Sequence, residues 1–328
     1  MAKKPFAYAV LEGVRQEMRS TPKLVACFGQ GTSTATSPTG DIIDLQKEFA
    51  GPRVLTDETQ PIDESWYAGW ASGMAAAGHP VLFFLPHMAD LVATETIYSN
   101  IAKLGYGSGG QVRQPVTIWV NGPYRQDGQS IQHTDMGEES IYAFMPGLKV
   151  VMPSDAYDGK GLMISALRDP DPVVFFVYSL VSSTAPVEVP DEAYTIPIGK
   201  AIVRQEGKDI TIVGWGSSSI EIAKALPKLK EAGISVEYID PRTLKPFDNE
   251  TLAASVKKTG RLLVVDEGTY TGSFSSYIVA EAAQRVRGAL VKRITFPDSP
   301  GPGAREMIQW MTPNEPKITD AVKQMVKM

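Results

Sequence analysis

Apolar and polar positions along the chain follow two periods in alternation. Over 6–18, Tyr8, Ala9, Leu11, Val14 and Met18 recur at helical spacing, which predicts an amphipathic helix with one buried face. The run K-L-V-A-C-F-G at 23–29 is too short for a helix and reads as a buried strand closed by glycine. Strand-like stretches recur at 81–85, 115–120, 148–152 and 172–177, with helical patterns at 65–77, 91–104, 136–144 and 156–168. Such alternation predicts an α/β fold, a parallel sheet covered by helices on both faces. Glycine- and proline-rich stretches at 105–114 and 121–130 mark loops at strand ends, where open parallel sheets place ligands.

The segment 179–198 holds three prolines and no sustained period. It divides the chain into a first domain over 1–180, a linker over 181–200 and a second, smaller α/β domain over 201–328. In the second, D-I-T-I-V-G-W-G (209–216) is strand then turn, 218–229 helix, I-S-V-E-Y-I-D (234–240) strand, 248–258 helix and R-L-L-V-V-D-E (261–267) strand. G-W-G-S-S-S (214–219) has neither the G-x-G-x-x-G spacing nor a Walker lysine, so it is not read as a phosphate loop.

With 328 residues, 43% of them hydrophobic, the chain can bury the cores of two domains. Its net charge of −5 and lack of any long Lys/Arg block argue against nucleic acid as a partner. The long apolar runs, such as V-L-F-F-L-P at 81–86, are far too short to cross a bilayer. Nothing at the N-terminus resembles a signal peptide. A single cysteine, Cys27, allows no intrachain disulfide, suits a reducing cytoplasm, and reads as strand packing.

Two titratable residues stand out. Glu64, in P-I-D-E-S-W (61–66), and His133, in Q-S-I-Q-H-T-D (129–135), each follow a predicted strand in apolar or glycine-rich surroundings, which makes both candidates for acid–base chemistry. Taken singly, each also fits a plain structural role: Glu64 as a helix N-terminal carboxylate favoured by the dipole, His133 as a loop histidine satisfied by backbone groups.

Collinear stretches over nearly the whole chain carry a resemblance. They are R-V-L-T-D-E-T-Q-P-I-D-E-S (53–65), S-G-G-Q (108–111), Q-H-T-D (132–135), P-G-L-K-V-V-M-P-S-D-A-Y-D-G-K-G-L (146–162), R-D-P-D-P-V-V-F-F (168–176), I-D-P-R-T-L-K-P-F-D (239–248) and V-K-K-T-G-R-L-L-V-V-D-E (256–267). Together they resemble the β subunit of thiamine-diphosphate-dependent 2-oxo acid dehydrogenases, a family that includes pyruvate, branched-chain 2-oxo acid and acetoin dehydrogenases. The resemblance implies a parallel-sheet pyrimidine-binding domain followed by a transketolase C-terminal domain. It also implies oxidative decarboxylation of a 2-oxo acid, with the acyl group passed to lipoamide. An acetoin- or diketone-cleaving subunit, a split transketolase-like ligase and a non-catalytic subunit stay open as alternatives.

The same resemblance implies roles for residues. Glu64 matches the carboxylate that hydrogen-bonds the aminopyrimidine ring of thiamine diphosphate and promotes its imino tautomer. His133 matches the histidine lining the channel to the thiazolium carbon, where an ordinary pKa of about 6.5 suits proton transfer during acyl handover. Ile118, Ala166, Leu167, Asp169 and Asp171 match a structural potassium site built partly from backbone carbonyls, chemistry suited to a hard cation.

Departures cluster near the expected cofactor. G-Q-G-T (29–32) stands where the family has G-E-D-V, so Gln30 replaces an acidic residue. Ala89 falls where an aromatic stacks on the aminopyrimidine, a loss of about 1 kcal/mol; His87, Phe83 or Phe84 are the substitutes within reach in sequence. No G-D-G followed by Asn at diphosphate-motif spacing occurs, so Mg²⁺ must be held by a partner. In the family that partner is the α subunit of an α2β2 heterotetramer, which meets a lipoyl acyltransferase core. M-I-Q-W-M (307–311) reads as buried core in preference to part of an interface.

Overall fold

The computed structural model describes residues 2–29, 32–49, 51–56, 63–86, 89–122 and 137–328. The chain forms two compact units, one of residues 1–123 with 142–198, the other of 124–141 with 199–328.

In the N-terminal unit the strands Lys149–Val151, Val173–Val177, Val116–Asn121, Val81–Pro86, Val25–Cys27 and Val54–Leu55 lie side by side in that order, all parallel. The central strands are buried along almost their whole length, which is why they read as continuous apolar runs rather than alternating ones. Cys27 is 1% exposed, and burial pushes its thiol up to about 11, against a hydrogen bond from the Gly29 backbone that pulls the other way. It is a packing residue, as its sequence context predicts. The strand order reverses between Val25–Cys27 and Val81–Pro86, because the chain passes from the first to Val54–Leu55 on one side and then crosses to the other.

Helices Phe6–Ser20 and Ala156–Leu167 pack against each other. Their approach is close: a Cβ on Gly159 would stand 2.9 Å from the Phe6 ring, and one on Gly13 3.2 Å from Ile164. Beside them lies a buried ion network. Glu12, on the first helix, accepts from Lys4 Nζ at 2.8 and 2.7 Å and from Lys160 Nζ at 2.8 Å, and Lys160 donates further to the Pro190 and Asp191 carbonyls at 2.7 and 3.2 Å. Lys4 ends a short strand, Ala2–Lys4, that pairs antiparallel with Val187–Val189. The stretch 181–200 therefore contributes a strand to the N-terminal unit.

The C-terminal unit has the strand order Ile202–Gln205, Val236–Asp240, Ile210–Gly214, Arg261–Thr269, Leu290–Phe296, parallel except for the antiparallel edge strand Ile202–Gln205. Ile212, Ile222, Leu229, Leu263, Val265, Val322 and Met325 form its core under the helices Ser217–Glu231 and Glu315–Val326. Helix Asn249–Thr259 starts at Asp248, whose carboxylate accepts from the Thr251 N–H at 3.1 Å and the Ala201 N–H at 3.2 Å. Burial alone would raise that carboxyl's pKa, but the donated N–H groups more than offset it and hold it below its ordinary range. A depressed folded-state pKa gives stability present above the unfolded value and lost as pH falls through the folded one. Asp248→Ala should therefore cost about 1 kcal/mol at neutral pH, with the gap to wild type narrowing below about pH 4, as read from urea unfolding at several pH values.

The amphipathic helix Arg305–Met311 corrects one sequence expectation. Ile308 and Met311 are buried, but Met307 and Trp310 are 52% and 73% exposed, so only one face of M-I-Q-W-M is core. Among the described residues no helix is long and apolar enough to cross a membrane.

Candidate active site

The strands Val25–Cys27, Val81–Pro86 and Val116–Asn121 are neighbours in one parallel sheet, so the chain leaves all three at the same, carboxyl edge. Gln30, His87 and His133 follow those three strands in sequence and themselves lie outside the described residues. Ala89 opens the helix Ala89–Thr96. Phe83 is spent in the core, and Phe84 lies in an aromatic row with Trp119 and Phe175, centroids 5.7 and 6.0 Å apart and edges to faces.

Glu64 is the best-defined member of this edge. Asp63 accepts from the Trp66 N–H at 3.0 Å and caps the helix Glu64–Ala76, placing Glu64 in its first turn, where the helix dipole favours a carboxylate. Tyr67, Ala68, Ala71 and Ala75 are buried, and helical spacing puts Glu64 on that same inward face. Its carboxylate is half-buried and forms no hydrogen bond or ion pair among the described residues. A carboxylate without a protein partner, at the carboxyl edge beside a strand-order reversal, is in the position such sheets use for ligands. A carboxyl group in such a place can share its proton with a ring nitrogen of a bound ligand.

The opposite face of this helix was not foreseen. Ser65, Gly69, Gly73 and Ala76 form an exposed stripe, with Ser65 Oγ donating to the Val92 carbonyl at 3.2 Å, and among the described residues nothing beyond the helix's own backbone lies within 4 Å of where a Cβ would stand on either glycine. Trp66 and Trp70 stack on its shoulder, centroids 6.4 Å apart. Small residues at this spacing could have flagged the face from sequence.

The same helix is locked to the end of strand Val25–Cys27. Tyr67 is fully buried, and a Cβ on Gly29, whose φ is +47°, would fall 2.8 Å from its ring. Both the backbone angle and the contact require glycine. Gly29→Ala should destabilise the chain by about 1–3 kcal/mol; an unchanged melting temperature would show that the ring moves freely.

The positions matched to potassium lie elsewhere. Ala166 and Leu167 end the helix Ala156–Leu167, and Asp169 and Asp171 lead into strand Val173–Val177, at the amino edge of the sheet; Ile118 is buried in mid-strand. The Asp169 carboxylate is already taken by Lys149 Nζ, at 2.7 and 2.8 Å, and by the Asp171 N–H at 3.0 Å. Asp171 faces Lys149 and Arg113, each at 3.5 Å. A cation here must rely on backbone carbonyls rather than carboxylates. Near the same edge a hollow of about 770 Å³ is lined by Tyr106, Gly109, Arg113, Gly147, Asp171 and Pro172. The glycine-rich loop 105–114 thus precedes the strand Val116–Asn121, at the amino edge rather than the ligand-bearing one, while 121–130 beyond Gly122 lies outside the described residues.

Two α/β units, each a mainly parallel sheet with a reversal in strand order, define the class of fold. Residues 9–179 match the family description "Transketolase, pyrimidine binding domain", and 199–318 match "Transketolase, C-terminal domain". The chain is 34% identical over 332 residues to the pyruvate dehydrogenase E1 component subunit beta of Bacillus subtilis (strain 168), covering 100% of both chains. It is 36% identical over 331 residues to the corresponding subunit of Staphylococcus aureus (strain COL), covering 99% of both. A solved structure described as "Split gene transketolase, inactive beta4 tetramer" shares the fold with a TM-score of 0.78 at 20% identity, covering 99% of each chain. The chain belongs to the family of transketolase-like 2-oxo acid dehydrogenase β subunits.

Proposed function

We propose that this chain is the β half of a cytoplasmic, thiamine-diphosphate-dependent 2-oxo acid dehydrogenase that decarboxylates its substrate oxidatively and passes the acyl group to lipoamide. The observation that carries the reading is the unpartnered, half-buried Glu64 carboxylate at the start of the helix Glu64–Ala76. Thiamine diphosphate, when bound, supplies a carbon nucleophile and an electron sink for breaking the bond next to a carbonyl. Glu64 shares a proton with the aminopyrimidine nitrogen and so sets the ring's tautomer. His133 gives and takes the proton on the side where the acyl group leaves for lipoamide. Gln30, Ala89 and His87 would hold the ring, and the lack of an aromatic at Ala89 would weaken that hold by about 1 kcal/mol.

An α-type subunit brings the Mg²⁺ that this chain has no motif to hold, in an α2β2 assembly that docks on a lipoyl acyltransferase core. The exposed stripe Ser65, Gly69, Gly73 and Ala76 supports such a partner, because it lets another helix approach to backbone distance right beside Glu64. Potassium, where bound, is held by the carbonyls of Ile118, Ala166, Leu167, Asp169 and Asp171, since Lys149 already neutralises the Asp169 carboxylate.

Calorimetric titration of thiamine diphosphate with Mg²⁺ tests the reading. Heat of binding is expected only when the chain is mixed with its α-type partner. Binding to neither sample would leave the subunit without a cofactor site and sink the assignment.

A further inference from the structure

In doubly wound sheets a ligand enters the crevice beyond the carboxyl ends of the two strands that flank the reversal in strand order. In the C-terminal unit those strands are Ile210–Gly214 and Arg261–Thr269. The first runs through Trp215 and Gly216 into the helix Ser217–Glu231, and the second ends in Asp266, Glu267 and Gly268 before Thr269.

That crevice is met by the chain itself. A Cβ on Gly137, whose φ is +85°, would stand 2.4 Å from the Gly268 Cα, so the two backbones are in direct contact. Glu139 Oε1 accepts from Trp215 Nε1 at 3.2 Å, and Ser140 Oγ accepts from the Phe274 N–H at 3.0 Å. Trp215 in turn stands edge-on to Phe274, centroids 6.2 Å apart. Glu138, Glu139 and Trp215 are all buried, and burying carboxylates is costly unless polar groups answer them, so the contact is no incidental brush of surfaces. Residues 137–141 belong to the C-terminal unit, although those that follow them belong to the other one.

We propose that the crevice where folds of this type take a ligand is filled here by the protein's own segment 137–141, and that Trp215 and Gly268 are positioning residues for the chain that carries His133. The proposal rests on the role given to His133 above, four positions before Gly137 in the sequence. Through this anchor the C-terminal unit sets the acyl-transfer side of the reaction while touching no reacting atom.

Hydrogen–deuterium exchange and kinetics on the assembled enzyme test it together. Trp215→Phe keeps the ring against Phe274 and removes only the N–H donor; Glu139→Ala removes the acceptor, and Glu139→Gln keeps an oxygen that can accept. Exchange across 124–141 should rise about tenfold in the Phe and Ala variants, the change in opening equilibrium that one buried hydrogen bond supplies, and stay near wild type in the Gln variant. Lipoamide-dependent turnover should fall roughly 10- to 100-fold in the same two variants. KM for the oxo acid and decarboxylation with an artificial electron acceptor should hold. Unchanged exchange in both Trp215→Phe and Glu139→Ala overturns the anchoring. Faster exchange with lipoamide turnover intact leaves the anchoring in place and overturns the role given to His133.

Discussion

Glu64→Gln should lower turnover of the assembled enzyme by roughly 10²- to 10⁴-fold, the range a positioned proton-transfer group contributes. The substitution keeps the volume and the hydrogen-bonding reach of the side chain while removing its ability to hold and return a proton. Little else depends on the charge. The Glu64 carboxylate has no protein partner among the described residues, and the helix is capped by Asp63 rather than by Glu64. The cost in stability is limited to the helix-dipole contribution, about 0.3–1 kcal/mol. Steady-state turnover with and without lipoamide, set beside a thermal melt, separates the two effects. Retained activity in a well-folded Glu64→Gln enzyme would falsify the assignment.

The largest expected loss of stability comes from Glu12→Ala. Glu12 is the carboxylate between Lys4 and Lys160, and the Lys160 side chain is fully buried. Burial holds the Lys160 ammonium below its ordinary pKa of 10.5, although Glu12 works against that shift. Without Glu12, Lys4 still has the Asp191 carboxylate at 2.7 Å, but Lys160 is left with the Pro190 and Asp191 carbonyls and the Tyr194 ring, and no carboxylate among the described residues bonds it directly. Leaving a buried charge uncompensated costs about 3–5 kcal/mol, a large share of what holds a domain folded. The sign of its pH dependence follows. A lysine whose charged form is disfavoured in the fold gains by losing its proton, so the deficit of Glu12→Ala should shrink as pH is raised toward 10. Urea midpoints at pH 7 and pH 9.5 measure this directly. Adding Lys160→Met to the variant should recover part of the loss, because the stranded charge goes with it.

The sequence made the long buried elements readable and the short or paired ones obscure. Val81–Pro86, Val116–Asn121 and Val173–Val177 are continuous apolar runs because both faces are covered, and a run of that kind needs no knowledge of its neighbours to be recognised. Strands of two or three residues, such as Val54–Leu55, the pair Thr34–Thr36 with Ile42–Asp44, and Ala2–Lys4 with Val187–Val189, exist only through their partners. The helical pattern over 91–104 hides a change of winding. The structure passes from Ala89–Thr96 through a π-helical turn, Ile97–Ile101, to a short helix at Leu104–Gly107, and apolar spacing does not distinguish these windings over so few residues. At the site, Glu64 was legible because a carboxylate in apolar sequence is chemically conspicuous. Its setting was not. The Gly29–Tyr67 contact and the capture of Glu139 by Trp215 join residues far apart in sequence, which no local pattern encodes.

The stacked pair Trp66 and Trp70 has a spectroscopic consequence. Both indoles are half-buried and flank the exposed stripe of Ser65, Gly69, Gly73 and Ala76, whereas Trp119 and Trp215 are already shielded inside the chain and Trp310, 73% exposed, is a constant solvent-exposed background on another helix. A helix seated on that stripe would strip water from two neighbouring indoles at once and leave the shielded pair as they are. Subunit assembly should announce itself as a blue shift in intrinsic emission, a label-free readout built into the helix that begins with Glu64.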